Sequence, residues 1–283
     1  MRKLLSTVSL SLAFALPAAL PAQEVGRNQE VWTWTGRVES GNWFRLSSVN
    51  GPVTVEASRD NMIHVRAEKE VRRGEISDVA FQVVRSGGDV RVCALWRRDY
   101  CDETGHHSRR NEDDNDRRDV RVRFTVQVPA GVRVNAGTVN GEMRVSNLSS
   151  DVRASTVNGR VEVLNVGGEV RATTVNGAVS VTTRNGPVNA STVNGNIDVK
   201  MNALSRDGGM RFNTVNGSIT VETPGSLDAD VEMETMHGSI SSDFPVQLSG
   251  RFGPRHARGT IGRGGRRIEM ETLNGSVELR RAR

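Results

Sequence analysis

The chain has 283 residues, of which 36% are hydrophobic, 25% are charged and 29 are glycine. This composition can build a hydrophobic core and excludes disorder as a description of the whole chain. Valine, threonine, glycine and asparagine are abundant and lysine is rare, which disfavours a helical bundle. Aromatic residues make up only 4%, and basic residues alternate with acidic ones. A nucleic-acid-binding protein, which needs a basic stripe with stacking aromatic residues, is therefore excluded.

The N-terminus has the parts of a secretory signal peptide. Arg2 and Lys3 precede an apolar stretch, and Pro21-Ala22 offers a small-residue cleavage site. Because the stretch is short for a membrane span, we predict that residues 1–22 are removed on export. The remaining chain carries 36 basic and 33 acidic residues and is expected to have no transmembrane segment. We expect it in the periplasm, outside the cell or at the cell surface.

The chain contains two cysteines, Cys93 and Cys101, close together in the exported part. In an oxidising compartment the usual state of such a pair is a disulfide. A reactive thiol or a metal-binding pair is the alternative, and the residues between the cysteines offer little chemistry for either. We therefore predict a disulfide that closes a short loop.

The C-terminal half contains an internal repeat. The tetrapeptide Thr-Val-Asn-Gly begins at residues 138, 156, 174, 192 and 214, and related tetrapeptides begin at 48, 235 and 272. The first four copies are 18 residues apart. Within each copy the apolar positions are spaced by four, two and three residues, which excludes a helix. These positions include Val139, Val145, Leu148 and Val157, which we expect to face the core.

Two β architectures compete for this pattern. Asn-Gly between strands is typical of hairpins in an antiparallel meander. The step of three from Val145 to Leu148, however, breaks the alternation that a continuous strand needs, whereas a solenoid accommodates that step at a corner. We predict an all-β fold, a single-domain parallel β-solenoid with coils of roughly 18 residues. A meander or sandwich remains the alternative.

In such a solenoid the repeated tetrapeptides stack above one another. Side-chain amides can then hydrogen-bond along the axis as a ladder, and asparagine and glycine tolerate the left-handed backbone of a tight corner. The predicted structural ladder consists of Asn140, Gly141, Asn158, Gly159, Asn176, Gly177, Asn194, Gly195, Asn216, Gly217, Asn274 and Gly275. The preceding threonines are expected to form a second row.

The chain outside the repeat is less regular. Residues 23–135 are predicted to form an N-terminal β region or cap, continuous with the solenoid of residues 136–283. Residues 30–90, with Trp32, Trp34, Trp43 and Phe44, should cover one open end. Arg280, Arg281 and Arg283 after the last strand should discourage growth at the other. Residues 102–119 are almost wholly polar and are expected to form an exposed, mobile charged loop. Residues 241–267 form a Gly- and Arg-rich excursion before the final coil.

We predict no catalytic residues, no metal and no cofactor. The acidic run after Glu112 lacks the glycine and distal glutamate of an EF-hand, and His106 and His107 fit a solvated loop better than a metal site. The chain also lacks the nucleophile-elbow, zinc-protease and P-loop motifs. Charges at outward positions alternate in sign, so no carboxylate pair stands out as an acid and base.

These residues together resemble the DUF4097 family of β-strand-repeat, adhesin-like proteins. The resemblance rests on the exported start, residues 122–132, the repeated tetrapeptides and the closing residues 262–277, and covers roughly residues 31–281. It implies a β-helix-like fold on bacterial envelope proteins and offers no catalytic motif to carry over.

We therefore predict an exported, non-catalytic envelope scaffold or adhesin-like binding module. Its partner would be an envelope protein, a glycan or a second copy of the chain. One alternative is a carbohydrate-active β-helix enzyme with a groove near His237 or residues 255–258. The other is a periplasmic partner of an envelope-stress signalling system that docks through residues 102–119.

Overall fold

The computed structural model describes residues 24–96, 98–108, 119–204, 208–249 and 255–282. This part of the chain forms β-strands and one 3-10 turn at Ile76–Asp78, without an α-helix. Accordingly, the described residues include no helix with the length and apolar character of a membrane span. The predicted signal peptide, residues 1–22, lies outside the described ranges.

The strands divide into an irregular N-terminal group and a regular C-terminal group. The first group is β1 (Glu24–Gly26), β2 (Val31–Gly36), β3 (Trp43–Ser47), β4 (Val53–Ala57), β5 (Ile63–Arg73), β6 (Val79–Ser86), β7 (Asp89–Trp96), β8 (Tyr100–Cys101), β9 (His106–His107) and β10 (Asp119–Val128). The second group is β11 (Arg133–Gly137), β12 (Met143–Ser146), β13 (Val152–Ser155), β14 (Val161–Val166), β15 (Val170–Thr173), β16 (Val179–Thr183), β17 (Val188–Ser191), β18 (Ile197–Met201), β19 (Met210–Asn216), β20 (Ile219–Thr223), β21 (Ala229–His237), β22 (Ile240–Ser242), β23 (Gln247–Ser249), β24 (Arg255–Ile261), β25 (Arg267–Asn274) and β26 (Val277–Arg281).

Two large sheets enclose the core. Among the described strands, sheet A has the order β1-β6-β7-β3-β11-β13-β15-β17-β19-β25-β21-β24-β23, and sheet B has the order β2-β5-β10-β4-β12-β14-β16-β18-β20-β26-β22. Each repeat supplies one strand to each sheet, and strands of successive repeats pair in parallel. The predicted parallel β-solenoid is therefore confirmed, and the meander alternative is wrong.

The core follows from the alternation of side chains along each short strand. In β13, Val152 and Ala154 are buried while Arg153 between them is exposed. β-branched residues suit these inward positions because they favour extended backbone, and small residues such as alanine fit the narrow space between the two sheets. Neighbouring coils lie about 4.8 Å apart, so stacking them produces one continuous core although each coil is small.

The N-terminal strands extend both sheets beyond the coils. β6 and β7 pair antiparallel in sheet A, and β2 and β10 flank β5 antiparallel in sheet B. Between the sheets, the fully buried Phe81 ring stacks on Trp32 at 5.0 Å and meets Phe124 edge-on at 5.8 Å. Trp43 and Phe44 lie elsewhere, because β3 is a strand of the first coil, paired in parallel with β7 and β11. Their assignment to the cap was wrong.

A buried lysine ties the cap together. The Lys69 ammonium donates hydrogen bonds to the carbonyl oxygens of Arg27, Ile76 and Val79, at 2.5, 2.9 and 2.6 Å. Burial, followed by repulsion from Arg27, lowers the pKa of Lys69 to about 8. The three carbonyl groups compensate for the burial of this charge, because an ammonium group has three donors.

The C-terminal coil lies inside the stack and not at its end. β25 lies between β19 and β21 in sheet A, and β26 lies between β20 and β22 in sheet B. The end coil is that of His237, which β24 and β23 cover by antiparallel pairing. The prediction that Arg280 and Arg281 protect the final edge is therefore wrong, and Arg283 lies outside the described residues. Sequence order does not predict this arrangement. After β19 and β20 the chain first forms β21 and β22 at the end of the stack, and β25 and β26 then fill the position between the two coils.

This order makes a deletion test possible. Removal of residues 227–263 should leave a folded solenoid, because β25 already pairs with β19 and β26 with β20. The remaining residues 224–226 and 264–266 can form the connecting corner. We expect amide protection of β19 and β25 to persist in hydrogen exchange. Loss of that protection would contradict the observed strand order.

Candidate functional site

The threonines of the repeated tetrapeptide point inward and support the corner. Thr156, Thr174 and Thr192 are 5–6% exposed. Each hydroxyl donates a 2.9 Å hydrogen bond to a glycine carbonyl oxygen of the preceding coil. The threonine row therefore holds the stack together and is not available to a ligand.

The valines that follow these threonines point outward. Val139, Val157, Val175 and Val193 are 37–39% exposed, so the prediction that Val139 and Val157 face the core is wrong. The error arose because an apolar residue was assumed to be inward, whereas here threonine takes that place and bonds to backbone. The corner consequently presents a row of half-exposed aliphatic side chains along the solenoid.

The asparagines stack in one row beside the valines. The amide nitrogen of Asn158 donates to the Asn140 side-chain oxygen at 2.8 Å. The same bond recurs at 2.8–2.9 Å through Asn176, Asn194, Asn216 and Asn274. The inner amides of the row, from Asn158 to Asn216, each use one donor and one acceptor on their neighbours, so the row is primarily structural.

Glycine is needed in the tetrapeptide because the coils approach closely there. A Cβ atom built on Gly159 would overlap the backbone carbonyl of Gly141, and the same overlap recurs one coil further on. The asparagines with a left-handed backbone are not those of the tetrapeptide. They are Asn147 and Asn165, with φ of 60° and 56°, at the opposite corner. Their side chains form a second ladder step of 2.8 Å, which the sequence analysis missed.

The disulfide covers the outer face of sheet A at the cap. Cys93 and Cys101 are joined and buried, beside Ala80, Val84 and Leu95. The chain then forms an ordered hairpin, because β9 pairs with β8 and the His107 ring stacks on Tyr100 at 4.6 Å. Residues 102–108 are therefore not the mobile loop that was expected. Residues 109–118 of that loop lie outside the described residues.

Asp102 organises the turn of this hairpin. Its carboxylate accepts hydrogen bonds from the Thr104 hydroxyl, the amides of Thr104 and Gly105, and the His107 ring. The Thr104 hydroxyl, against a smaller opposing effect of burial, is the largest cause that holds the pKa of Asp102 far below its usual range. Within the described ranges, no group of three or more His, Cys, Asp or Glu side chains is placed to hold a metal ion.

An open groove of about 1020 Å³ lies at the C-terminal end, lined by β21 and by residues of the excursion that include β24. Both of its carboxylates have partners. Glu232 meets Arg258 at 2.6 Å and Arg267 at 3.4 Å, and Asp230 accepts hydrogen bonds from the Thr260 hydroxyl and the Gly265 amide. The hydrogen bond from Arg258 is the largest cause that lowers the pKa of Glu232. A general acid needs a raised pKa, so this groove does not present one at Glu232.

The outer face of sheet A carries a row of arginines near the cap. Register places Arg91, Arg45, Asn135, Arg153, Arg171 and Asn189 side by side on consecutive strands. Strand spacing puts about 19 Å between the first and the fourth arginine of this row. We call these residues, together with Arg133 and Trp43, the arginine face.

Three guanidinium groups converge on one indole in the arginine face. The Trp43 ring lies 4.6 Å from Arg133, 4.6 Å from Arg153 and 5.4 Å from Arg45. Trp43 is only 9% exposed. Cation–π attraction offsets part of the repulsion between these like charges. The ring therefore holds the guanidinium groups in fixed positions.

Carboxylates neutralise only part of this charge. Asp89 binds Arg45 at 2.7 Å. Although burial raises the pKa of Asp89, hydrogen bonds from the Trp43 amide and Arg45 outweigh it and hold that pKa below its usual value. Asp151 and Glu169 lie at the border of the face, where the Glu169 amide donates to Asp151 at 3.0 Å. Asp89 and Asp102 both attract Arg91 at the cap end of the row. Among the described residues, Arg153 and Arg171 are exposed members of the face that form no ion pair with a carboxylate.

A row of small polar side chains runs directly beside the arginines. Sheet register aligns Ser47, Gly137, Ser155, Thr173, Ser191 and Asn213 on consecutive strands. The Asn213 side-chain oxygen is buried and accepts no hydrogen bond from the described residues. Sequence reasoning missed this face. The sequence does show arginine at equivalent positions one repeat apart, Arg153 and Arg171. The contact between Trp43 and Arg133, however, is visible only in the tertiary structure.

Two solved structures are similar to this chain. A crystal structure of a putative cell adhesion protein from Clostridium sporogenes ATCC 15579 is similar at 11% identity and a TM-score of 0.36, covering 89% of this chain and 100% of that one. A crystal structure of a putative adhesin from Bacteroides fragilis NCTC 9343 is similar at 14% identity and a TM-score of 0.46, covering 90% and 98%. A search of curated proteins found no match.

The family comparison covers the coils themselves. The model of the Toastrack DUF4097 family matches residues 130–280, which is more than half of the chain. The match begins just before β11 and ends in β26, so it contains the repeated tetrapeptides from Thr138 onward. The resemblance seen in the sequence is confirmed: this protein belongs to the Toastrack DUF4097 family.

Proposed function

We propose that the protein is exported and works as a non-catalytic, adhesin-like binding module or scaffold of the cell envelope. The observation that carries this proposal is the register of the coils. Outward positions repeat on consecutive parallel strands about 4.8 Å apart. A ligand that contacts an outward residue of one coil can therefore also contact the equivalent residue of the next coil. Such repetition suits a long or multivalent partner, because contacts after the first are intramolecular.

The rigidity of the coils supports the same proposal. Backbone hydrogen bonds join each corner to the next, as in the bonds from Gly141 to Asn158 and from Gly159 to Asn176. A surface that is ordered before binding loses less conformational entropy on binding. The disulfide between Cys93 and Cys101 supports export, since such bonds persist in oxidising compartments.

Photo-crosslinking on intact cells tests this function. A photoreactive residue is placed at Asn189 on sheet A, at Ser180 on sheet B or at Val157 on the corner, with the buried Val181 as the matched control. We expect a discrete envelope protein or glycan adduct from one outward position and none from Val181. Absence of adducts at all three outward positions would contradict the proposal.

A further inference from the structure

The arginine face has a composition that internal stability does not explain. Like charges are repelled when they are brought together on one surface, yet Arg45, Arg133 and Arg153 meet around Trp43. The Arg133 Nε is buried and has no hydrogen-bond partner among the described residues. Next in the row, Arg171 is exposed and has no carboxylate partner in the described part of the chain. The exposed Arg153 and Arg171 therefore present guanidinium donors to an anion, whereas the Arg133 Nε is buried beneath them.

The opposite half of sheet A is different. Arg211 is paired with Glu269, Arg258 with Glu232 and Arg263 with Asp228. Arginine is thus paired with carboxylate toward the C-terminal end, whereas Arg153 and Arg171 in the arginine face form no such ion pair among the described residues. Burial and then the positive charge of Arg45 lower the pKa of Arg91, against the opposing attraction of Asp102 and Asp89. The unpaired charge is a local feature of the arginine face and is not spread over the sheet.

We propose that the arginine face binds an extended acidic polysaccharide whose carboxylate groups are repeated along its chain. This proposal rests on the proposed function and adds the class of its ligand. Guanidinium groups bind carboxylates in a planar, two-bond geometry. The adjoining Ser155, Thr173 and Ser191 supply hydroxyl groups that can bond to sugar hydroxyls. The arginine row and the neighbouring hydroxyl row together match a polymer whose sugar units carry both carboxylate and hydroxyl groups.

A polysaccharide fits this face better than a nucleic acid. Single-stranded nucleic acids bind through exposed aromatic side chains on which the bases stack. Trp43 is the aromatic residue of the arginine face, and guanidinium groups cover its ring. The face also follows the solenoid axis, so a linear polymer lying along it meets Arg45, Arg153 and Arg171 in sequence.

Calorimetric titration with a defined-length alginate oligosaccharide tests the proposal. Two variants remove guanidinium groups: R171Q, which disturbs no described contact, and the double variant R153Q/R171Q. The matched control is R121Q/R123Q, two exposed arginines on β10 in sheet B, which changes the net charge equally. A neutral glucan of the same length and a single-stranded DNA oligonucleotide serve as comparison ligands.

We expect the native protein to bind alginate, with affinity falling as salt is added. The double variant should raise Kd at least about tenfold, and R171Q should raise it less, since each lost charged hydrogen bond weakens binding. The R121Q/R123Q control should bind like the native protein. The proposal would be overturned if the native protein did not bind alginate or if R153Q/R171Q bound it as tightly as the native protein. Equal binding of neutral glucan or tighter binding of DNA would overturn it as well. A discrete crosslinked partner on cells without alginate binding would reject this ligand while leaving the proposed function intact.

Discussion

Replacing Gly159 by alanine should lower the free energy of unfolding by about 2–4 kcal/mol. The added Cβ would overlap the backbone carbonyl of Gly141 in the coil below. Backbone atoms cannot move aside as a flexible side chain can, so two coils would have to separate. That separation would lengthen the 3.0 Å hydrogen bond from Gly141 to the Asn158 carbonyl. Denaturant unfolding and amide exchange at this corner would measure the loss.

Gly105 provides the matched control for this substitution. A Cβ there meets no atom within 4 Å, and alanine reduces the entropy of the unfolded chain. We expect G105A to be neutral or slightly stabilising. Equal stability of G159A and G105A would show that the close approach of the coils does not constrain position 159.

Replacing Phe81 by alanine should lower the free energy of unfolding by about 3–5 kcal/mol. The ring is fully buried between Trp32 and Phe124, and the Lys69 ammonium lies 5.0 Å from its centre. Alanine would leave a cavity at the junction of the two sheets. In a stacked structure the strongest effect should fall on the nearest elements, so protection in β2, β6 and β10 should decrease most in hydrogen exchange.

The exposed Leu248 is the control for loss of apolar area. Its side chain is 62% exposed on β23, and truncation of such surface residues usually changes stability by less than about 0.5 kcal/mol. We expect L248A to leave the denaturation midpoint unchanged. A small effect of F81A, or an effect confined to the C-terminal coils, would show that the aromatic cluster does not stabilise the cap.

Several features could be read directly from the residues because they depend on local chemistry. The steps of four, two and three residues excluded a helix and favoured a solenoid, since side-chain alternation within a strand and its break at a corner are local effects. The stacking of Asn158 on Asn140 followed from the repeat length in the same way. The pairing of Cys93 with Cys101 followed from the predicted export, because two cysteines in an oxidising compartment usually form a disulfide.

The direction of the corner valines could not be read in this way. Val157 is apolar and Thr156 is polar, yet the threonine is buried and the valine exposed. The buried threonine is acceptable because its hydroxyl donates to the Gly141 carbonyl in the preceding coil, and a buried polar group costs little once it is hydrogen-bonded. That partner is 15 residues away, so the local pattern contains no sign of it.

The sequence by itself determined the β class, the coil length, the asparagine row and the family. These properties repeat with the chain or depend on near neighbours. Tertiary structure alone decided the position of the C-terminal coil between β19 and β21 and the meeting of Trp43 with Arg133 and Arg153. The physical reason is that non-consecutive strands become neighbours only when the whole stack closes. Their partners are chosen by core packing and register, which no single repeat encodes.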